Sequence, residues 1–444
     1  MIDALVTGRS LPALQTALDL AEVGLRVAVA SPSGLEGTDP VEERDPEGVF
    51  AAFLTRISQS IDGGDAPPNS GVEPVRHPPV APMLRGPKGE WLPQPEPEVL
   101  GIPAVPMASE AIALIGSGAA TRAYLDRVKP LLTVGKTRAL GRLVRTRMGA
   151  TVLDRLVEPQ VFDRYGISAD EVDAAIAAPG LNEALSRAGA LSSAVLAYSE
   201  RHVARETRVA SIRGVQAMRL AIMKRLELYG VELLDAPVLE LEETLEGWIA
   251  VLEGEQHLEA RAVVFDQGRS PRTLGPMAEF IVDLLPARSR VYAEIEIPRP
   301  EWLAEGRSAL LCVDGWSARL VDGSGPTVDV RLGSEAFRDA EESDRRTSEV
   351  PAETLDALAE AVAGSSQPDA GWRPRAAELV AAPYATIVER DGAVSALETA
   401  VFSRDTLLPV GRALHGDDLG AALVWARDQA VGLRRRLLGL DDAS

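Results

Sequence analysis

A short apolar run near the start of the chain leads into a turn whose residue types could hold a phosphate group. Residues 4–6 precede Gly8, and apolar residues at helical spacing follow, which predicts a strand, a tight turn and a helix. Turns of this kind bind the pyrophosphate of a dinucleotide when glycines at the spacing Gly-x-Gly-x-x-Gly allow a close backbone approach. Here Ser10 and Ala13 stand at the second and third positions, and Pro12 removes one backbone donor. The pattern predicts either an altered phosphate-binding turn or a purely structural one.

The composition limits the kinds of protein that this chain can be. Its 444 residues are 46% apolar and 25% charged, as in globular proteins with more than one domain. A net charge of −20 repels phosphate backbones, so we expect no nucleic acid partner. The single cysteine, Cys312, excludes an intramolecular disulfide, and 4 scattered histidines argue against a zinc or iron site. Because no leader pattern and no membrane-spanning apolar run is evident, we expect a cytoplasmic protein.

The elements that must position the turn follow from the hydrophobic pattern along the chain. Residues 2–30 predict a strand, a helix and a second strand, the opening unit of a doubly wound sheet. Residues 31–82 are rich in Gly, Pro, Asp and Glu and predict a long loop region with one helical stretch, "VFAAFLTRISQSI". Residues 209–268 return to α/β character, and the chain ends with a strand, a glycine turn and a long helix. Segments of nucleotide-binding type therefore occur at the start, middle and end.

Two insertions separate these segments. The first contains a hairpin in "MLRGPKGEWLPQPEPEVLGIP" and then a mostly helical stretch, while alternation over residues 288–335 in the second predicts an antiparallel sheet with one solvent face. We therefore predict an α/β fold with a doubly wound, Rossmann-like domain, a helical insertion and an antiparallel-sheet domain. The predicted boundaries are 1–82, 205–275 and 395–444 for the doubly wound domain, 83–204 for the hairpin and helical insertion, and 276–394 for the antiparallel-sheet domain.

Several stretches, in this order, carry a resemblance to a known family. They are "RGPKGEWLPQPEPEVLGIP", "RTRMGATVLDRLVEPQVFDRYGISADEVDAA" with the following "AAPGLNEAL", "SIRGVQAMRLAIMKRL" and "WRPRAAELVAAPYATIVERDG". The chain resembles the flavin-containing amine oxidase superfamily, most closely its protoporphyrinogen oxidases. The resemblance implies an FAD-binding domain, a substrate domain over the flavin ring and a helical region that associates with membranes. It also implies removal of hydrogens from protoporphyrinogen, with flavin as acceptor and oxygen as final oxidant.

The resemblance also places an FAD site on particular residues of this chain. In the family, Gly8, Ser10 and Ala13 correspond to the pyrophosphate turn, and Ser31 stands where an acidic residue binds the adenosine ribose. Val238 matches a position whose backbone contacts adenine, and Gly411 matches a glycine of the C-terminal motif. Ser31 has no carboxylate, so only part of this site is retained.

The C-terminal and middle motifs depart further from the family. "LLPVGRALHGDDLGAALVWARDQA" has Arg412 in place of Asp, carboxylates at Asp417 and Asp418 in the turn, and Trp425 where a small Ser is usual. In the middle segment Asp266 begins an Asp-Gln-Gly run that replaces the usual Ala-Thr-Pro. Carboxylates near a diphosphate reduce its affinity, and a buried Trp needs volume. These changes predict that side chains of the first loop, Trp425 and the "HGDD" turn fill the cofactor channel.

Two hypotheses about function follow. The first is a protoporphyrinogen-oxidase-like pseudo-oxidase without a bound cofactor, which has lost the usual mode of FAD binding and binds an apolar small molecule or an unknown protein partner. The second is an atypical FAD-dependent oxidoreductase that acts on a porphyrinogen-like or other apolar substrate with oxygen as acceptor. In the second, Arg9 or Arg412 would contact the phosphates. Neither hypothesis assigns a catalytic residue, and we predict the first.

Other motifs have structural as well as functional explanations. Residues 116–121, "GSGAAT", resemble a nucleotide fingerprint but fall in the helical insertion and predict a turn between helices. The basic stretch Lys129 to Arg147 predicts either weak contact with a membrane surface or a solvated helix face paired with acids. His415 predicts a histidine in a surface turn, and Trp372 and Tyr384 predict either a cavity lining or core packing.

Overall fold

The structure of the protein is a computed structural model of the 444-residue chain. It describes residues 1–31, 42–59, 72–129, 138–268, 284, 288–322, 325–338, 349–363, 374 and 376–440. Trp372 and residues 130–137 of the basic stretch lie outside the described residues.

The described chain contains both strands and helices, as an α/β fold requires. The strands are β1 Ile2–Val6, β2 Val27–Ala30, β3 Glu42–Arg44, β4 Pro74–His77, β5 Pro82–Arg85, β6 Trp91–Pro93, β7 Glu98–Val99, β8 Ile102–Pro103, β9 Arg208–Ser211, β10 Glu232–Leu234, β11 Val238–Thr244, β12 Gly247–Leu252, β13 Gln256–Asp266, β14 Ser289–Pro298, β15 Ser308–Val313, β16 Trp316–Asp322, β17 Thr327–Ser334, β18 Ala376–Ala381 and β19 Leu407–Val410. The helices are α1 Leu11–Ala21, α2 Val49–Ser58, α3 Ser109–Ile115, α4 Ser117–Tyr124, α5 Leu140–Met148, α6 Ala150–Val152, α7 Glu158–Tyr165, α8 Ala174–Ala177, α9 Leu181–Ala188, α10 Leu191–Glu206, α11 Gly214–Leu228, α12 Ala352–Ala363, α13 Ile387–Ser403 and α14 Leu419–Leu437. Short 3₁₀ turns cover Leu125–Val128 and Arg412–His415, and a π-helical turn covers Leu153–Val157.

The chain divides into two compact units, each made of separate sequence segments. Unit 1 comprises Met1–Pro78, Arg205–Pro286 and Asp391–Ser444, and unit 2 comprises Pro79–Ala204 and Ala287–Arg390. Each unit has a buried core of its own. The finer division into a helical insertion and an antiparallel-sheet domain stays a prediction.

Unit 1 is built on a 7-stranded sheet whose order is β10-β2-β1-β13-β12-β11, with β19 beside β13. Strands β10, β2, β1, β13 and β19 run parallel, whereas β11, β12 and β13 form an antiparallel meander. The carboxyl ends of parallel strands meet at one edge of a sheet, where open α/β folds bind ligands. This edge carries the turn after β1 and the residues that follow β2, β13 and β19.

Helix α1 anchors the turn in the core of unit 1. Every residue from Leu11 to Ala21 is buried, because the helix packs against the sheet and against α11 and α14. Full burial of a leucine side chain contributes roughly 1.5–3 kcal/mol, so Leu11, Leu14 and Leu18 hold the start of the helix firmly. Gln15 donates from Nε2 to the carbonyl oxygen of Leu423 on α14 at 2.9 Å. The turn at Gly8 is therefore held in place by the buried helix that follows it.

Unit 2 combines a helical region with a second 7-stranded sheet of order β18-β14-β17-β16-β15-β5-β6. Along β14 buried residues alternate with partly exposed ones, which confirms the prediction of a sheet with one solvent face. The hairpin β5–β6 and the helices α3 to α10 are also as predicted.

The loop predicted over residues 31–82 is only partly confirmed. Helix α2 is as predicted, but Glu42–Arg44 and Pro74–His77 are strands that pair on either side of β9. Both strands are short and carry few apolar residues, so no alternation marks them in the sequence. Pairing with a strand from a distant segment decides their conformation.

Candidate functional site

A carboxylate of the chain itself occupies the donors of the turn after β1. Asp266, the last residue of β13, accepts hydrogen bonds from Ser10 N to Oδ2 at 2.8 Å and from Ser10 Oγ to Oδ1 at 2.6 Å. Its Oδ1 also accepts from Gly268 N at 2.8 Å. Register brings these residues together, because Val6 on β1 pairs with Val264 on β13 and both strands end at the same edge. The turn thus binds an anion, and that anion is the side chain of Asp266.

Gly8 is required by the same carboxylate. A Cβ atom on Gly8 would overlap the Cβ, Cγ and Oδ2 atoms of Asp266, which lie closer than any real side chain allows. In a dinucleotide-binding turn a glycine lets the backbone approach the pyrophosphate. Here Gly8 lets the backbone approach a carboxylate.

The start of α1 leaves few free donors for a ligand. Ser10 caps the helix, and its Oγ accepts from Ala13 N at 3.4 Å while its carbonyl accepts from Leu14 N at 2.9 Å. Pro12 has no N–H to offer. Ala13, predicted at the third glycine position, is fully buried in the core of unit 1. Small side chains therefore preserve close packing at this position even without the glycine.

Ser31 and Val238 lie on other parts of the same sheet. Ser31 directly follows β2, is buried, and donates its N–H to the carbonyl oxygen of Leu234 on β10 at 3.1 Å. Val238 begins β11, opposite Leu252, and packs against a buried cluster that includes Ala30. Ser31 has no carboxylate to offer to a ribose.

The charged residues of the C-terminal turn interact with other groups of the chain. Arg412 is 4% exposed; its Nη1 lies 2.9 Å from Glu43 Oε2 and its Nε 3.0 Å from Asp417 Oδ1. Asp418 caps α14 by accepting from Ala421 N at 3.0 Å. The sequence singled out Arg412, Asp417 and Asp418, but it gave no signal for Glu43, which lies in the segment predicted to be a loop. Arg412 thus forms ion pairs with two carboxylates of the chain.

Gly411 lies where the ends of β13 and β19 approach each other closely. Its φ is 128°, and a Cβ there would lie 2.7 Å from Gly268 N. Gln267 N donates to the carbonyl oxygen of Val410 at 2.8 Å, and Ala413 N donates to that of Gly268 at 2.9 Å. The close approach of these two backbone segments therefore requires a glycine at position 411.

His415 is buried, and the prediction of a surface turn was wrong. The side chain is 7% exposed, and its ring centroid lies 5.9 Å from that of Trp425 on α14. Burial lowers the pKa of His415 to about 4, although the nearby Asp418 carboxylate opposes the shift. The imidazole is therefore neutral at pH 7. The histidine is buried because the turn packs against α14. Leu414, its neighbour in the turn, is also buried.

Trp425 is half-buried rather than exposed to solvent on α14. Its Nε1 donates to the carbonyl oxygen of Pro409 on β19 at 3.0 Å, and its ring packs against two hydrophobic clusters of unit 1. The bond explains why a tryptophan is accommodated near the end of β19. Whether the ring fills a cofactor channel stays a prediction.

Two predictions from the helical insertion can be compared with the described residues. Gly116 separates α3 from α4, which confirms the predicted turn between helices. In the basic stretch, Arg147 is buried and paired with Asp126, and Arg145 pairs with Asp170 at 2.7 Å. These pairs are what a helix face paired with acids requires, and membrane contact stays a prediction.

Unit 2 places Tyr384 after β18, where it is half-buried, and burial raises the pKa of its hydroxyl. In the part of the chain that the structure describes, no helix is long and apolar enough to cross a membrane. Among the same residues no group of three or more His, Cys, Asp and Glu side chains is arranged to hold a metal ion. The expected cytoplasmic location stays a prediction.

No family model and no curated protein matches this sequence, whereas solved structures match the whole chain. The "Putative protoporphyrinogen oxidase" from Exiguobacterium sp. 255-15 is 14% identical, with a TM-score of 0.73 over 98% of this chain and 99% of that chain. Cyclohexylamine oxidase from Brevibacterium oxydans IH-35A is 13% identical, with a TM-score of 0.55 over 98% and 99% of the two chains. UDP-galactopyranose mutase is 12% identical, with a TM-score of 0.58 over 99% of this chain and 94% of that chain. The chain shares the fold of these solved structures, two of which are named as oxidases. The predicted fold class and the resemblance that suggested it are confirmed at this level.

Within this fold, only some of the residues predicted to bind FAD lie close together. Gly8 and Ser10 contact the side chain of Asp266. Gly411 contacts the backbone of Gly268, which is two residues after Asp266 in the chain. Ala13 is core, while Ser31 and Val238 stand apart from this contact. The sequence identified Asp266 as an unusual residue but did not identify its contact with Ser10, which lies 256 positions away.

Proposed function

We propose that this protein is a pseudo-oxidase: an amine oxidase-type fold that resembles the protoporphyrinogen oxidases and has lost the usual mode of FAD binding. It acts as a ligand-binding or partner-binding protein, for an apolar small molecule or a protein partner. Gly8, Ser10, Ala13, Ser31, Val238 and Gly411 are then a vestigial FAD site. The observation that carries the proposal is the Asp266 carboxylate on the donors of the turn.

The residues of the turn do not fit a pyrophosphate. A phosphate oxygen at Gly8 would have to displace Asp266 from Ser10 N, Ser10 Oγ and Gly268 N. Hydrogen bonds to a charged acceptor contribute roughly 1.5–3 kcal/mol each, so the internal carboxylate is a strong competitor. Asp266 belongs to the same sheet as the turn, so its carboxylate competes with the phosphate for these donors at any concentration of FAD.

Electrostatic repulsion acts in the same direction. Two like charges about 4 Å apart repel each other by roughly 4 kcal/mol at the effective dielectric constant near a protein surface. A retained carboxylate at the turn therefore lowers its affinity for a diphosphate. Arg412 does not offset this charge, since Glu43 and Asp417 already surround it.

The visible absorption spectrum of the purified protein tests the proposal. We expect no flavin bands in the protein as isolated, and none retained after incubation with FAD and gel filtration. We also expect FAD to leave the melting temperature unchanged, because a ligand raises it only when it binds the folded state. A retained flavin spectrum with a raised melting temperature would refute the proposal and favour the atypical oxidoreductase.

A variant sharpens this test. Asp266→Ala replaces the carboxylate by the residue that the family carries at this position, and Asp428→Ala removes an exposed carboxylate from α14 as a matched control. We expect FAD affinity to rise in the first variant relative to the wild type and to stay unchanged in the control. Equal FAD affinity in all three proteins would show that Asp266 does not exclude the cofactor.

A further inference from the structure

Strand β11 is an open edge of the unit 1 sheet. It pairs with β12 on one side, and no strand of the described chain pairs with its other side. The register with β12 shifts between Val238 and Glu240 and is regular from Glu240 to Thr244. In an antiparallel pair, the residues along a strand alternate between those whose backbone groups bond to the neighbour and those whose N–H and C=O point away from it. The regular stretch of β11 therefore offers backbone donors and acceptors to a further strand.

The side chains of this edge alternate between acidic and apolar. Glu240 and Glu242 are exposed and lie on one face of the sheet, because successive side chains of a strand point to opposite faces. Leu241 lies on the other face and packs, half-buried, against the cluster that includes Trp248. An apolar residue on a neighbouring strand would bury the rest of this leucine. Leu245, at the tip of the β11–β12 hairpin, is fully exposed.

The charges of this edge favour a cation. Among the residues that the structure describes, neither Glu240 nor Glu242 forms an ion pair, whereas Arg404 Nε lies 3.6 Å from Glu243 Oε2 on the other face. Residues 238–260 contain no lysine or arginine, and their acids are Glu240, Glu242, Glu243, Glu246, Glu253, Glu255 and Glu259. Opposite charges directly across two strands stabilise the pair. A strand that places lysine or arginine beside Glu240 and Glu242 is therefore favoured.

The same charges argue against pairing with a second copy of this chain. If two β11 strands paired at their open sides, the glutamates of one copy would face those of the other, and like charges across strands are destabilising. Charged residues on edge strands prevent self-association in this way. The outward backbone groups, the half-buried Leu241 and the two glutamates together fit a different strand, in which basic residues alternate with apolar ones.

We infer that β11 is a docking edge for an extended segment of a protein partner in which lysine or arginine alternates with apolar residues. Such a segment adds a strand to the sheet through backbone hydrogen bonds. Its basic side chains lie beside Glu240 and Glu242, and its apolar side chains lie beside Leu241. The inference rests on the partner-binding part of the proposed function, whose partner it describes, and not on the loss of FAD binding.

Fluorescence anisotropy with three short labelled peptides tests the docking edge. The first peptide alternates lysine with valine, the second alternates glutamate with valine, and the third has the composition of the first with its lysines and valines in separate blocks. We expect saturable binding of the first peptide alone, and added salt should weaken it because exposed charges are screened. If the first peptide does not bind, or if the block peptide binds equally well, the inference is overturned, and the glutamates only protect the edge.

Charge variants of the full-length protein locate the binding. Glu240→Gln combined with Glu242→Gln should weaken binding of the lysine peptide roughly four- to twentyfold, because each cross-strand pair of opposite charges changes affinity by about two- to fivefold. Glu253→Gln combined with Glu255→Gln removes the same charge from the exposed turn between β12 and β13 and should leave the affinity unchanged. Equal weakening in the two variants would show nonspecific attraction to an acidic protein and contradict the assignment.

Charge reversal gives a result that a folding defect does not produce. Glu240→Lys combined with Glu242→Lys should bind the glutamate peptide and no longer bind the lysine peptide. In the wild type, hydrogen exchange should show new protection in β11 when the lysine peptide is added, and none in β6, an edge strand of the unit 2 sheet. An unchanged preference of the reversed variant for the lysine peptide, or protection outside β11 alone, would refute the docking edge.

The outcome is independent of the flavin experiment. If FAD binds, the pseudo-oxidase proposal fails, but binding of the lysine peptide at β11 still supports the docking edge. If neither FAD nor the lysine peptide binds, only the docking edge is refuted.

Discussion

Ser10 donates both its backbone N–H and its hydroxyl to the carboxylate of Asp266, at 2.8 and 2.6 Å, across the carboxyl ends of two neighbouring parallel strands. This relationship turns a ligand-binding geometry into an internal one. The donors that a nucleotide turn offers to a phosphate are present, but their acceptor is covalently part of the protein. The turn has therefore kept the shape of an anion site while its electrostatics are satisfied without a ligand.

Loss of the Asp266 carboxylate should destabilise the protein even though it opens the turn. Asp266→Ala removes the acceptor of Ser10 N and Gly268 N, which are partly buried, and a donor left without an acceptor away from water costs about 1–3 kcal/mol. Urea unfolding should show a decrease of this size in the free energy of unfolding. The exposed control Asp428→Ala should change it by less than about 0.5 kcal/mol. A decrease no larger than that of the control would mean that the carboxylate contributes nothing to the fold.

Gly8 and Asp266 should be energetically coupled. Gly8→Ala places a methyl group on the Asp266 side chain and should destabilise the protein by at least about 1–3 kcal/mol, as overpacking does. Asp266→Gly removes the overlapping atoms, so the double variant should be more stable than the sum of the single changes predicts. A double-mutant cycle measured by urea unfolding should give a coupling of roughly 0.5–3 kcal/mol. Additive effects would show that the alanine is accommodated elsewhere.

The sequence predicted the positions of this site better than its contacts. Gly8 and Ser10 were singled out because they follow a predicted strand, which is a local feature of the sequence, whereas Gly411 was singled out by the resemblance to a known family. The bond between Ser10 and Asp266 spans 256 positions, and that between Arg412 and Glu43 spans 369, so only the tertiary fold defines them. The error at His415 has the same origin: a histidine followed by glycine and aspartate is typical of a surface turn, and only the packing against α14 buries it.

Arg412 should be a structural residue, because it is 4% exposed and neutralises Glu43 and Asp417. Arg412→Leu removes the cation from both carboxylates, and breaking a buried ion pair in this way costs about 3–5 kcal/mol. Arg404→Gln is a suitable control, since Arg404 forms a half-exposed pair with Glu243 and such pairs contribute about 0–1 kcal/mol. Chemical denaturation of both variants measures the difference. If both variants lose a similarly small amount of unfolding free energy, Arg412 does not stabilise the fold through its two ion pairs.

Stability should fall in mild acid because of His415. Its pKa is about 4 in the folded protein, below the ordinary value of 6.5, so the unfolded chain binds more protons between these two pH values. The stability due to the neutral imidazole is therefore present above pH 6.5 and is lost as the pH falls towards 4. A shift of this size corresponds to a loss on the order of 3 kcal/mol.

Urea unfolding at a series of pH values from 7 to 4 measures this loss. His415→Phe keeps an aromatic ring beside Trp425 without a titratable group, so its free energy of unfolding should fall less steeply than that of the wild type. His257→Phe, which removes an exposed histidine on β13, is the matched control and should retain the wild-type slope. Parallel curves for the wild type and His415→Phe would show that the imidazole gains no proton on unfolding in this range. That result would contradict its burial as a neutral group.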